Sequence, residues 1–268
     1  MTEARMQEAP EYKPGTFCWV ELGTSDDQAA KKFYTELFGW DYVDNPMGPD
    51  GLYTLLKLEG KDVGGLYKLL PDMVAQGIPP HWLSYVSVTN VDESAEKAKA
   101  LGATIMSGPL DVSEIGRMAV VQDPTGAVFA LWQPKQHVGS GIYNVPGSFC
   151  WNELGTTDTE KAGEFYSKLC GWTRENFSES PIEYTMFKNG DRGAGGMYKI
   201  TPDMGPIPPH WLVYFAVDDC DAKVQKAKEL GGRVMNPADD IPGVGRFAIL
   251  FDPQGAAFAI IKLENPDQ

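Results

Sequence analysis

The sequence predicts an α+β protein built from two tandem copies of one unit, each copy a strand–helix–strands motif used twice. Three observations carry that prediction. The stretch Gly15-Thr16-Phe17-Cys18-Trp19-Val20-Glu21-Leu22-Gly23-Thr24 returns as Gly147-Ser148-Phe149-Cys150-Trp151-Asn152-Glu153-Leu154-Gly155-Thr156. After each stretch, apolar alternation, helical spacing and stopping glycines follow in the same order. The turn Asp123-Pro124-Thr125-Gly126 near the end of the first copy has its counterpart in Asp252-Pro253-Gln254-Gly255. With 268 residues the chain has room for two cores of domain size.

Phe17–Leu22 alternates and reads as a strand. Thr24-Ser25-Asp26-Asp27 starts a helix, with a hydroxyl residue offering the cap and acids filling the first turn. Ala30, Phe33, Tyr34 and Leu37 continue it at helical spacing, and Gly39 stops it; Ala162, Phe165, Tyr166, Leu169 and Gly171 repeat the pattern. Two short strands come next, Leu52–Leu58 and Val63–Lys68, matched by Glu183–Lys188 and Ala194–Lys199. A loop from Pro71 to Pro80, longer than its counterpart from Pro202 to Pro209, leads into the second half of the unit. There His81–Val88 is a strand and Val91–Leu101 a helix ended by Gly102. Thr104–Met106, Arg117–Gln122 and Val128–Gln133 are strands. The expected organisation is a loose tail over 1–14, a first module over 15–136, a Gly- and Pro-punctuated linker over 137–146 and a second module over 147–266.

A formal net charge of -14 and a sequence pI of about 4.6 argue against nucleic acid and anionic membrane as partners, because both need clustered lysine and arginine. No segment has the apolar length of a signal-peptide core or a membrane span, so a cytoplasmic location is expected. Cys18 and Cys150 are repeat-equivalent, Cys170 and Cys220 are not, and no CxxC pair occurs; reduced and mostly buried thiols are expected.

The strings Phe33-Tyr34 to Gly39-Trp40, Leu101-Gly102-Ala103, Gly116-Arg117-Met118-Ala119 with Gly245-Arg246-Phe247-Ala248, and the two Asp-Pro-x-Gly turns resemble the vicinal oxygen chelate superfamily. This is the glyoxalase I, bleomycin-resistance and extradiol-dioxygenase group. The resemblance runs from about Gly15 to Leu263 and is strongest to two-module glyoxalase-like proteins of actinobacteria, some of them labelled antigens or hydroxylases. It implies that each module pairs two βαβββ units into a half-open β cup with helices outside. It also implies a small-molecule ligand in the cup. The chain would be a monomer whose two modules mimic a dimer, or a homodimer. A divalent metal held by His, Gln or Glu from strands one and five and a Glu from the last strand is the family's usual chemistry.

Alignment on the flanking motifs places those ligand positions on Phe17, Leu83 and Ala130, and on Phe149, Leu212 and Ala259, none of which can bind a metal. The expectation is therefore a cup with no resident cofactor. A displaced divalent site built from a Glu and a His is the alternative. Strand alternation puts Phe17, Trp19 and Glu21, with His81, Leu83 and Tyr85, on the inward face, and Phe149, Trp151, Glu153, His210, Leu212 and Tyr214 on that of the second copy. Trp132 follows on the last strand. Glu21 and Glu153 are candidate general bases, His81 and His210 their acid partners, and Tyr85 and Tyr214 donors to an oxyanion. Phe17, Trp19, Trp132, Phe149 and Trp151 are candidate ligand-stacking rings. Arg117 and Arg246 could hold an anion bidentately or pair with an acid of the protein. Two functions follow. One is a binder of an aromatic or hydrophobic small molecule. The other is an enzyme, a glyoxalase-like lyase or isomerase or a dioxygenase- or hydroxylase-like oxidoreductase.

Overall fold

The computed structural model describes residues 12–48, 51–178 and 182–265. Residues 1–11 of the expected tail, and the last residue of the expected second module, lie outside them. Among the described residues no helix is long and apolar enough to cross a membrane.

Each module contributes one eight-stranded sheet. In the first the strands are β1 (Phe17–Thr24), β2 (Asp41–Met47), β3 (Gly51–Leu58), β4 (Lys61–Lys68), β5 (His81–Ser87), β6 (Thr104–Val112), β7 (Gly116–Gln122) and β8 (Val128–Pro134), in the spatial order β2-β3-β4-β1-β5-β8-β7-β6. The second repeats that order with β9 (Phe149–Thr156), β10 (Thr173–Asn176), β11 (Tyr184–Asn189), β12 (Arg192–Lys199), β13 (His210–Ala216), β14 (Arg233–Ile241), β15 (Gly245–Phe251) and β16 (Ala257–Leu263). The two central strands of each sheet run antiparallel, and each has a parallel neighbour on its outer side. That arrangement is the signature of two βαβββ units laid side by side.

The crossover helices are α1 (Asp27–Phe38) and α3 (Val91–Ala100) in the first module, and α4 (Thr159–Cys170) and α5 (Cys220–Glu229) in the second. A short helix α2 (Pro71–Ala75) and a 3-10 turn (Pro202–Met204) stand where loops are expected from the sequence. Asp26, not the hydroxyl residues before it, caps α1: its side chain accepts from Ala29 N at 3.0 Å. Thr24 Oγ1 supports the turn by accepting from Asp26 N, and Asp158 and Thr156 repeat both contacts. Gly39 and Gly171 end their helices in the left-handed conformation, as their positions predict.

The convex faces of the two sheets and their helices share one core. Phe17, Val20, Leu22, Phe33, Tyr34 and Trp82 pack in the same cluster as Phe165, Tyr166, Trp211, Phe215 and Phe258. The repeated motifs are what join the modules. Trp82 Nε1 donates to Tyr34 Oη at 2.9 Å, and Tyr34 Oη donates across the seam to Asp252 of the second Asp-Pro-x-Gly turn at 3.0 Å. Trp211, Tyr166 and Asp123 form the mirror network at 2.8 and 2.8 Å. Trp40 Nε1 reaches Gly147 O and Trp172 Nε1 reaches Gly15 O. The exchange of Val20 for Asn152 also resolves here, because Asn152 Oδ1 accepts from Ser84 Oγ of the other module at 2.5 Å. The convex faces meet back to back, so the two concave faces open away from each other.

Candidate functional site

A one-residue irregularity sets what each cup contains. Phe17 pairs with Val86 and Trp19 with Tyr85, so Cys18 is an extra residue in β1; the same shift lies between Phe149 and Trp151 in β9. Such a bulge reverses the alternation before it. Trp19 and Glu21 therefore face the cup, whereas Phe17 faces the seam, with its ring 5.0 Å from that of Trp211. Phe149 likewise joins the shared core beside Tyr143. Both phenylalanines are corrected out of the ligand-binding set, and the concave position of the first strand belongs to Trp19 and Trp151.

The centre of each cup is a glutamate held by tyrosines. Glu21 accepts from Tyr53 Oη at 2.7 Å and from Tyr85 Oη at 2.9 Å. Trp19 Nε1 donates to Tyr53 Oη at 3.2 Å, extending the network by one ring. In the second cup Tyr214 Oη donates to Glu153 at 2.9 Å, Tyr184 bonds the same carboxyl, and Trp151 Nε1 donates to Tyr184 Oη at 3.1 Å. Protein surrounds each glutamate while part of its surface stays open to the cup. Burial pushes both carboxyls above the ordinary glutamate value, and the tyrosine hydroxyls oppose that only in part. Burial, and then the neighbouring carboxylate, pushes the tyrosines upward, so they stay protonated donors. Tyr67 and Tyr198 stand close enough to feel the glutamates as a third ring in each cup.

The sequence reading brings Glu21 with Tyr85 and Glu153 with Tyr214, but misses Tyr53, Tyr67, Tyr184 and Tyr198. A signal was present. All four are repeat-equivalent, and each cup has a glycine pair before its third tyrosine, Gly64-Gly65 and Gly195-Gly196. A methyl group on Gly65 would collide with Tyr53 Oη, and one on Gly196 with Tyr184 Oη. The glycines make room for the hub.

Other candidates fall elsewhere. His81 stands opposite Gly23, and its Nδ1 contacts Pro79 O at 2.8 Å; His210 does the same with Pro208 O. Burial holds both imidazoles below their usual range. Neither is a hydrogen-bond partner of the glutamate, which corrects the expected Glu–His pairing. Arg117 sits on the convex side of β7, bidentate to Asp92 of α3 at 2.8 and 2.8 Å and bridged to Asp111 at 3.2 Å. Arg246 repeats this with Asp221 and Asp240. The arginines are tied to acids outside the cup, so they too leave the ligand-binding set. All four cysteines are free.

The walls differ. Leu83, Ala130 and Trp132 complete the apolar side of cup 1, and Leu212, Ala259 and Ile261 that of cup 2. Trp132 Nε1 donates to His137 O at 2.9 Å, and the His137 ring lies 4.6 Å from Trp19 and 6.0 Å from Trp132, edge to face with both. The linker then lies along the sheet: Ser140 N donates to the oxygen of the bulged Cys18 at 2.8 Å and Gly141 N to Asp62 O at 2.7 Å. Gly139, at φ 132°, has its backbone against Cys18 O with no room for a side chain.

Two eight-stranded curled sheets, each of paired βαβββ units about a concave hub, already restrict the family. The sequence profile described as "Glyoxalase/Bleomycin resistance protein/Dioxygenase superfamily" matches residues 16–131 and 149–260. The chain belongs to that superfamily. It is 42% identical over 259 residues, 96% of this chain and 98% of the relative, to the protein named "Putative glyoxylase CFP32" of Mycobacterium tuberculosis. It is 35% identical over 266 residues, 95% of each chain, to the "Anthracycline biosynthesis protein DnrV" of Streptomyces peucetius. Among solved structures, the Mn(II)-bound glyoxalase from Novosphingobium aromaticivorans superposes with a TM-score of 0.65 at 18% identity, covering 93% of this chain and 82% of that one. The 2,3-dioxygenase LapB from Pseudomonas sp. KL28 superposes with a TM-score of 0.63 at 11% identity, covering 97% and 96%. At those identities the likeness is one of fold. One of these neighbours is Mn(II)-bound, which makes the donor set of the present cups worth testing.

Proposed function

We propose that this superfamily member binds a small, flat, largely apolar molecule in a cup that works without a divalent ion. The observation that carries the reading is the pair of glutamate–tyrosine hubs beside a floor with no donor. The concave floor positions are Trp19, Leu83 and Ala130 in one cup and Trp151, Leu212 and Ala259 in the other. A divalent ion needs several oxygen or nitrogen donors converging at about 2.0–2.2 Å, and these side chains offer none. Each glutamate already accepts from two tyrosines, and among the described residues no group of three His, Cys, Asp or Glu stands together. The residues present do not fit the metal that the fold usually carries. They do fit an apolar concave face with a few converging polar groups, the lining that small-molecule sites share.

The experiment has two arms. Purified protein incubated with Mn²⁺, Zn²⁺, Ni²⁺ or Fe²⁺ and desalted should retain no stoichiometric metal; one ion per module would overturn the metal-free reading. N-phenyl-1-naphthylamine, a neutral apolar fluorophore, should brighten on binding and lose most of that signal in Trp151→Ala; no binding would overturn the small-molecule reading.

A second reading is favoured by the glutamate, whose carboxyl burial raises above its ordinary value, and by the relatives named for glyoxylase and anthracycline biosynthesis. In it Glu21 or Glu153 moves a proton and Tyr85 or Tyr214 donates to a developing oxyanion. Glu→Gln at both positions should abolish turnover of any substrate found, and an unchanged rate would sink this acid–base version.

A further inference from the structure

Among the described residues, the hub of cup 2 has no cationic partner. Glu153 has Tyr214 and Tyr184 as partners, neither of them cationic. Arg246 is committed to Asp221 and Asp240 on the convex side, and Lys188, at the rim, is paired with Glu175. Tyr184, Tyr198 and Tyr214 stand next to the carboxyl, with the Trp151 indole bonded to Tyr184 and the Phe247 ring beside Tyr214. A carboxyl set among aromatic rings is the chemistry that recognises an organic ammonium: exposed ring faces attract the cation through their quadrupoles and the carboxylate supplies the counter-ion. Cup 1 has the same hub, but its linker side is covered. His137 fills the space between Trp19 and Trp132, and the backbone of 139–141 lies on β1 and β4. Among the described residues, this cover is seen on cup 1. Trp19 is 5% exposed, whereas Trp151 is part-exposed, and Ile261 leaves the space that Trp132 fills.

We propose that cup 2 is the ligand-binding cup and that it takes an organic ammonium carried beside a flat ring, Glu153 serving as its counter-ion, while His137 and the linker close cup 1. This rests on the small-molecule reading above and adds the ligand class and the working module.

The test uses the full chain and benzyltrimethylammonium, whose charge is independent of pH, against neutral benzyl alcohol, with ligand-observed NMR and calorimetry. Benzyltrimethylammonium should bind at one site per chain at least fivefold more tightly than benzyl alcohol, and Glu153→Gln should remove that preference. His137→Ala should raise the site count from one to two. Equal binding of the two probes, or a preference that survives Glu153→Gln, would overturn the ammonium class. Two sites in the unaltered protein would overturn the closure. If N-phenyl-1-naphthylamine binds while benzyltrimethylammonium does not, the ligand class falls and the small-molecule reading stands; if neither binds, both fall. Melting curves of Glu153→Gln, expected to stay cooperative, separate lost recognition from lost fold.

Discussion

Cup 1 and cup 2 hold the same glutamate, the same three tyrosines and the same indole in the same register, yet they present different surfaces. In cup 1, Cys18 is fully buried, Trp19 is 5% exposed, and Trp132 at 6% exposure is pinned to the linker. In cup 2, Cys150 and Trp151 are partly exposed, and Ile261 and Gly193 stand where cup 1 has Trp132 and Asp62. Duplication kept the polar hub and the seam networks in both copies. Among the described residues, the linker lies along β1 and β4 of cup 1 and sets His137 between Trp19 and Trp132. Asymmetry thus comes from a segment that belongs to neither repeat.

The largest test of that difference is to give cup 2 the indole of cup 1. Ile261→Trp should press against Gly245 as Trp132 does against Gly116, with no His137 oxygen to take its N–H. Fluorophore binding should fall about tenfold, a loss of about 1.4 kcal/mol. Unchanged affinity would mean that Ile261 does not border the site.

A smaller effect separates the hubs by pH. Burial raises the Glu21 and Glu153 carboxyls, so each contributes most to stability when protonated. That contribution is complete below the unfolded value and is lost as pH rises through the folded one. Glu153→Gln and Glu21→Gln should therefore gain on the unaltered protein by a few degrees of melting temperature, about 2–4 °C, between pH 4 and pH 8. Cup 2 should lose this dependence when benzyltrimethylammonium is present, because the cation favours the ionised carboxylate; Tyr184, Tyr198, Tyr214 and His210, which face it, stay neutral across that upper range. A gap that stays constant with pH would deny the raised carboxyls.

The smallest test concerns the seam. Ser84→Ala alone should cost about 1–2 kcal/mol by orphaning the buried Asn152 amide, and adding Asn152→Val should recover most of it. Ligand binding should not change in either variant. Strict additivity in denaturant unfolding would contradict the pairing.

Most of the fold was legible because its signals are repeated and periodic: the alternating central strands, the two long helices of each module, the stopping glycines and the Asp-Pro-x-Gly turns. What was missed lies at the edges. β2 and β10 are exposed edge strands, β10 wholly polar and β2 mixing Tyr42, Val43 and Met47 with polar residues and Pro46, with no alternation to read. The site was half legible. Glu21, Glu153, Tyr85 and Tyr214 followed from strand alternation, but the bulge at Cys18 has no sequence marker, so Phe17 and Phe149 were placed on the wrong face. Tyr53 and Tyr184 come from strands two ladders away, a juxtaposition made by pairing register rather than by spacing along the chain. His137 was read as linker because a coil carries no periodicity that says what it covers.

The repeat-equivalent thiols Cys18 and Cys150 compare the two cups within one molecule. Burial raises both, Cys150 to about 12, so both react slowly and exposure decides the ratio. Native protein is alkylated with a small maleimide for a limited time and the modified peptides are quantified by mass spectrometry. With cup 2 open and cup 1 closed, Cys150 labels at least about tenfold faster than Cys18. Equal labelling, or faster labelling of Cys18, would contradict the closure of cup 1.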